Sequence, residues 1–571
     1  MASRLPRPAT RRDSVMRRVL SFSAIGLAVA LTGCGKSSSS STPAPTTYSI
    51  GGTISGLTSG TVVLQDNGGD NLSLSNSGSF AFATALQPDA SYDVTVATQP
   101  ADGVCSVSNG SGTAAASVSN VTVVCSLTTV PTDIWTWVGG SDYANAPGVF
   151  GTQGTAAASN SPGARRQPTA WTDVAGNFWL FGGYGLAATA GNVGMLDDLW
   201  KYSPSAGQWI WVGGSDTVGA AAAYGSLGTP AASNDPGARE GAARWTDAGG
   251  NLWLFGGDSL AAQSSEELDD LWEYDMSSAQ WTWMGGSSTA GNAGSYGMLG
   301  VALATNLPPA RTGAISWVDS SGVFWLFGGA QLNANGSFGA VFNDLWSYNP
   351  TTALWTWMGG SNAPDAAGVY GTQGAAATSN VPGARMGGTA WVDASGNVWL
   401  FGGEGLNQSG ISEEYGDLWE YSPGSGEWTW VGGSDAPDAS GVYGTQGAGA
   451  AGYGPGARVA AASWTDSSGN FWLFGGHGYD QPGELGILND LWQYSPGTGV
   501  WTWIDGSSII AANGAYGTQG APASGNAPGA REQAVGWLDS SGNLRLFGGY
   551  GLDAFGEQDE LNDLWSFTPT P

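Results

Sequence analysis

Beyond residue 131 the apolar residues fall in short runs bounded by Gly, Asn, Asp, Ser or Pro, and few stretches have helical spacing. In the first such stretch Thr169-Ala170-Trp171 predicts a short strand, and Asp173 to Asn177 a turn rich in residues that tolerate tight backbone geometry. Phe178-Trp179-Leu180-Phe181 predicts a second strand, apolar on both faces and therefore buried. Gly182-Gly183 is read as its end. Leu199 to Tyr202 predicts a third strand, Ser203 to Gly207 a second turn, and Trp209-Ile210-Trp211 a fourth strand.

The whole pattern recurs six times. A Pro-Gly-Ala-Arg segment (once Pro-Pro-Ala-Arg) ends at Arg165, Arg239, Arg311, Arg385, Arg458 and Arg531, every 72 to 74 residues. A Gly pair follows each, at Gly182, Gly256, Gly328, Gly402, Gly475 and Gly548 and the glycine after each. Repetition at a fixed long period implies an array of like units, and four antiparallel strands per unit make a propeller blade. The sixth copy stops after Asp563 to Phe567 without a fourth strand, while an unmatched strand, Ile134 to Val138, precedes the first copy. The N-terminal strand is therefore expected to complete the last blade, which removes the open edges of a linear array. The Gly pair, an aromatic in the third strand (Tyr202, Tyr274, Tyr348, Tyr421, Tyr494, Phe567) and Trp in the fourth resemble the kelch family over about 440 residues. The resemblance implies a six-bladed kelch-type β-propeller. The unit is longer than the usual kelch period of about 50 residues, and the excess lies between the fourth strand and the next Pro-Gly-Ala-Arg.

The N-terminal portion is written differently. Arg17 and Arg18 precede an apolar run, Val19 to Leu31, too short to span a bilayer as a mature helix. The run ends in Leu31-Thr32-Gly33-Cys34, which together with the basic segment reads as a secretory signal. Its ending resembles a bacterial lipobox, which implies cleavage after residue 33, lipidation of Cys34 and, with Gly35 following, transfer to the outer membrane or cell surface of a Gram-negative bacterium. Residues 34–45, rich in Ser, Thr and Pro, read as a tether. Residues 46–128 contain no Trp, Lys or Arg, and their short alternating runs predict a small antiparallel β-sandwich that resembles immunoglobulin-like modules. With Cys34 lipidated, Cys105 and Cys125 remain as a pair, and export makes a disulfide their expected state. Loss of the signal removes six of 17 basic residues and one of 46 acids, so 11 basic and 45 acidic residues remain, a formal charge of −34. Such a surface excludes nucleic acid as an electrostatic partner. The expected state is a monomer attached to membrane through its lipid.

Repeated residues are expected to build scaffold, and function is expected where the copies differ. All 29 Trp hold repeated positions: 12 in the fourth-strand pairs, six in the first strands, five in the second and six in Asp-Leu-Trp segments. They are assigned to packing between blades. The six repeated arginines match six repeated acids, Asp198, Asp270, Asp344, Asp417, Asp490 and Asp563, and buried two-pronged pairs are expected. The alternative is a ring of cations binding an anion. The one departure among the Trp positions is Arg545 in the sixth copy.

Strand alternation puts the two short turns on one face and the two long connections on the other, the usual side for binding. Phe150, Tyr224, Tyr296, Tyr370, Tyr443 and Tyr516 each open a Gly-x-x-Gly segment in the longer connection, whose repetition suggests a structural cap. The unmatched positions are those after the Gly pair, Tyr184, Asp258, Ala330, Glu404, His477 and Tyr550, and those after the repeated arginine, Arg166, Glu240, Thr312, Met386, Val459 and Glu532. From these, Tyr184, Asp258, Glu404, His477, Tyr550, Arg166, Glu240 and Glu532 are the candidate ligand-binding residues, placed at the mouth of a central channel. The chain also resembles the central domain of galactose oxidase, but a copper-radical site needs two His and a Tyr–Cys cross-link. The repeat region holds one His and no Cys, so that chemistry is excluded. No metal site or cofactor is assigned; the acidic runs Glu266 to Asp270 and Glu557 to Glu560 are candidates for calcium without any known ligand spacing. The expected function is non-catalytic binding of a protein or glycan through the long-loop face. The alternative is a copper-independent carbohydrate-active enzyme using carboxylates at the mouth.

Overall fold

The alternation of apolar and polar residues in the N-terminal module folds as β-structure in the computed structural model, which describes residues 47–57, 61–100, 103–127, 133–261, 264–333, 336–407 and 409–569. The signal, the tether and Cys34 lie outside the described residues. The chain divides into two units, Met1–Thr128 and Thr129–Pro571. In the first, one sheet holds Gly78–Ala81, Ile50–Ser55, Val118–Leu127 and Gly103–Ser108 in that order, and the other Asp70–Leu74, Val62–Asp66, Ser91–Thr98 and Ser111–Thr113. Ile50, Ile54, Val121 and Val123 from one sheet and Val62, Leu64 and Val94 from the other share a single core. Cys105 and Cys125 are directly opposed on neighbouring strands and form a disulfide. The expectation of a purely antiparallel module is corrected: Ile50–Ser55 and Val118–Leu127 run parallel. Side chains alternate with period two in either arrangement, so the pattern carries no sign of strand direction.

The second unit contains, among its described residues, six antiparallel sheets built on four main strands each, compatible with a β-propeller. The first consists of Thr169–Thr172, Phe178–Leu186, Val193–Ser203 and Gln208–Gly213. In the sixth, Val535–Leu538, Leu544–Leu552 and Gln558–Thr568 are joined by Ile134–Gly139, with Trp565 opposite Trp137 and Phe567 opposite Trp135. The first strands lie side by side in a cycle, each against the next and Val535–Leu538 against Thr169–Thr172. The core lies between sheets: Trp171, Trp179 and Phe181 of the first pack on Leu252, Trp272 and Trp281 of the second, and Trp537 and Phe547 of the sixth pack on Phe178, Trp200 and Trp209 of the first.

A ring of backbone hydrogen bonds closes the inner rim. Two residues after each repeated arginine the backbone turns to positive φ, at Gln167 (49°), Gly241 (68°), Gly313 (64°), Gly387 (62°), Ala460 (57°) and Gln533 (58°). Each amide donates to the carbonyl of its counterpart in the preceding sheet, and Gln167 to that of Gln533, at 2.8 to 3.2 Å. The six bonds form an uninterrupted collar.

Two expectations change. The Gly pair does not end the second strand in the first, second, fifth and sixth sheets. Pairing there shifts by a bulge and resumes, from Gly183 opposite Leu196 to Leu186 opposite Val193 in the first. In the third and fourth the ladder breaks and a separate hairpin follows, Ala330–Leu332 with Phe338–Val341 and Glu404–Leu406 with Ser412–Glu414. The connections expected as long loops are therefore hairpin arms. The glycines serve sheet-to-sheet docking: the Gly183 amide donates to the Arg239 carbonyl at 2.9 Å. A Cβ on Gly182 would sit 2.6 Å from that carbonyl oxygen, and both glycines have positive φ. The other connections cover sheet edges. Each runs along the outer edge of its sheet's fourth strand, as Ala157 bridges Trp209 and Ala231 bridges Trp281, which covers an edge that would otherwise be open.

Candidate functional site

The site hangs on buried ion pairs. Each repeated arginine meets its aspartate through two nitrogens; for Arg165 the distances to the Asp198 oxygens are 2.6 and 2.7 Å, with neither side chain exposed. The guanidinium also donates to the carbonyls of Gly163 and Gly182, so the arginine ties its own segment to the first glycine of the pair. The aspartate accepts from the indole of Trp200 two residues on. In the other five sheets it accepts in addition from the loop tyrosine, as Tyr224 does to Asp270 at 2.9 Å. The repeated Tyr is thus the fourth member of a buried polar network, and Phe150 lacks its hydroxyl in the first. All six guanidinium groups are engaged this way and none lines the mouth cavity.

With each arginine fixed, the next residue stands at the inner rim, and in all but the fifth sheet it lines the mouth cavity. The two sets of unmatched positions turn out to be cross-strand neighbours: Arg166 faces Tyr184, Glu240 faces Asp258, Thr312 faces Ala330, Met386 faces Glu404, Val459 faces His477 and Glu532 faces Tyr550. A cavity of about 740 Å³ lies over the collar and is lined by Arg166, Glu240, Asp258, Glu404, Glu532 and Tyr550 among the candidates. Tyr184 lines an adjoining cavity of about 460 Å³ that shares Arg166 and Tyr550. His477 lines neither. Its Nδ1 lies 2.7 Å from Glu414 Oε1 on the neighbouring hairpin.

Sequence reasoning did not place the third-strand partners at the mouth, although Glu267 and Glu560 stood in the acidic runs it considered for calcium. Glu267, Glu414 and Glu560 sit opposite Asp258, Glu404 and Tyr550. Extending the second strand through the Gly pair would have named them by register. It also missed Leu332, Phe338 and Leu406, which give the cavity an apolar wall, and the collar residues Gln167 and Gln533 on its floor.

Arg166 organises the charge. Its Nη1 lies 3.2 Å from Glu560, its Nε 3.7 Å from Glu240, and its guanidinium stacks 4.4 Å above the Tyr184 ring. Burial pushes the Glu240 carboxyl up to about 7 against the opposing pull of Arg166. Burial likewise raises Glu560 to about 7, with Asp559 adding to it. Away from these cavities, burial lifts Asp197 to about 7, with Asp235 adding to it. The Glu414 hydrogen bond raises His477 against burial.

A pH dependence follows. Glu240, Glu560 and Asp197 have folded values above their unfolded ones, so their protons stabilise the fold at low pH, and this stability is lost as pH rises through about 7. His477, also raised, loses its contribution in the same direction. The melting temperature is expected to be lower at pH 8 than at pH 5.5 by about 3 °C. Calorimetry at constant ionic strength measures it, and an equal or higher value at pH 8 contradicts the assignment.

Among the described residues no group of three or more His, Cys, Asp or Glu is arranged to hold a metal ion. In the acidic runs considered for calcium, Asp270 is held by Arg239, Asp269 accepts from Ser287 and Asn292, and Glu560 meets Arg166. No protein-family model matches the chain, and no curated protein matches it in sequence.

Proposed function

We propose that residues 131–571 are a six-bladed kelch-type propeller which binds a glycan in its central cavity without transforming it. In this reading the preceding module is immunoglobulin-like, and the chain is exported and held at the cell surface by a lipid on Cys34. The observation that carries the binding reading is the convergence of the non-repeating cross-strand pairs on one cavity of about 740 Å³, within the usual range of about 300–1,000 Å³ for ligand sites. Its chemistry suits a polyhydroxylated ligand. Carboxylates of Glu240, Asp258, Glu404 and Glu532 accept from hydroxyls, Gln167 and Gln533 offer amides, and Tyr550 and Leu332 offer surface for a sugar face.

The test is a glycan array probed with the chain lacking residues 1–34, followed by titration of the captured glycan. Glu240→Gln with Tyr550→Ala is expected to weaken binding about tenfold or more while the chain keeps a cooperative melting transition. A chain that captures no glycan, or a variant that binds as the parent does, defeats the reading. Capture of a protein in its place moves the ligand to a basic segment of a partner.

One observation favours a second reading, a carbohydrate-active enzyme. Glu240, raised to about 7, is a carboxyl able to hold a proton near neutral pH, as a general acid must. Turnover of the captured glycan that is lost in Glu240→Gln while binding persists would establish it.

A further inference from the structure

Beneath the collar lies a second space that the binding reading does not use. It has a volume of about 190 Å³, and its lining begins one residue past the collar, at Ala242, Gly388 and Ala461. It ends two residues further along the same first strands, at Arg244, Ala390 and Ser463. Strand alternation explains the lining. Trp245 and its counterparts turn between the sheets, so the residue before each turns into the channel. That position is Ala170, Ser316, Ala390, Ser463 or Gly536 in five sheets and arginine in one.

Arg244 differs from every other basic residue of the ring. Six arginines are paired with aspartates, Arg166 meets Glu240 and Glu560, Arg545 meets Asp539, and Lys201 lies over Trp179. Among the described residues the Arg244 guanidinium has no carboxylate, carbonyl or aromatic partner; only its backbone is engaged, with the Ser316 hydroxyl. The side chain is exposed within the channel, where the neighbouring protein lowers its pKa. The small residues around it carry no charge, and the Ser463 hydroxyl on the same cavity has no protein partner. A guanidinium presents a planar fork of donors that matches an oxyanion, and here no protein group among the described residues occupies it.

We propose that the channel below the collar is a binding site for one small inorganic oxyanion of phosphate or sulfate size, held by the Arg244 guanidinium and the Ser463 hydroxyl. The site is separate from the mouth cavity, since the two share no lining residue and the lower lining starts one residue past the collar in the four sheets that line both, and it stands whether or not a glycan binds above.

The probe is inorganic phosphate, titrated into the whole chain at constant ionic strength with chloride as the balancing salt. Calorimetry is expected to give one site per chain, and the melting temperature is expected to rise with phosphate beyond the chloride control. Arg244→Ala is expected to weaken phosphate binding about tenfold or more. In phosphate-free buffer that variant should melt as the parent does, because the Arg244 side chain makes no hydrogen bond or ion pair with the protein among the described residues. Arg244→Lys, which keeps the charge without the fork, should fall between the two in phosphate affinity. Absence of any phosphate effect in the parent overturns the proposal. So does equal phosphate stabilisation in Arg244→Ala, or, should that variant not fold, in Arg244→Lys.

Discussion

Replacing Arg385 with alanine is expected to lower the unfolding free energy by about 3–5 kcal/mol, the largest effect of any single side chain in the repeat. Arg385 is fully buried and reaches Asp417 through both terminal nitrogens, at 2.6 and 2.8 Å. It also donates to the carbonyls of Gly383 and Gly402 and lies 4.3 Å over the Tyr415 ring. Asp417 in turn accepts from Trp419 and Tyr370 at 2.7 Å each. Burial alone would raise that carboxyl; the Arg385 charge and the hydrogen bonds from Arg385, Trp419 and Tyr370 together outweigh it and hold Asp417 below the usual carboxylate range. Alanine removes the compensating charge and four donated hydrogen bonds together, and leaves a carboxylate stranded between two sheets. Denaturant midpoints measure the loss. A change of under about 1 kcal/mol, the size of an exposed pair, would show that the pair does not hold the sheet. A stable variant with weakened anion binding would return the arginines to the cation-ring reading.

Why the arginines were legible and other features were not has physical causes. Six Arg against six Asp at fixed spacing, in a chain this poor in bases, left a paired state as the economical solution. The Trp positions were legible for the same reason, and so was their exception. Arg545 takes the place of a Trp whose indole donates to the turn aspartate in the other copies, and its Nε and Nη2 donate to Asp539 instead. The collar was invisible because it is made by backbone. Its six positions are Gln, Gly, Gly, Gly, Ala and Gln, and nothing in their side chains repeats. The hairpin arms were missed because two adjacent glycines read as a stop, whereas their positive φ makes a bulge that lets pairing continue. That error kept Glu414 and Glu560 from being placed beside His477 and Arg166, although Glu560 already stood in an acidic run. The loop tyrosines were seen as a repeat, but their hydrogen bond to an aspartate 46 to 48 residues away required the fold.

Removing Ile134–Gly139 is expected to do more than any point substitution, because this strand joins the two ends of the ring. It pairs along Gln558–Thr568, more than 400 residues away in sequence. Trp135, 1% exposed, packs against Phe474, Phe567 and Trp565 at ring separations of 5.3, 5.1 and 6.4 Å. Its carbonyl accepts from Asn526, which anchors the covering loop of the sixth sheet. Without the strand, Gln558–Thr568 becomes an open edge and the core between the fifth and sixth sheets loses one of its four buried tryptophans. The collar and the pairs above it depend on the same closure, so the mouth cavity stands or falls with it. The direct measurement is calorimetric unfolding of the chain with Ile134–Gly139 replaced by a Gly/Ser segment of equal length. A closed ring predicts loss of the parent's cooperative transition. A single transition within about 2 °C of the parent's would contradict closure by this strand.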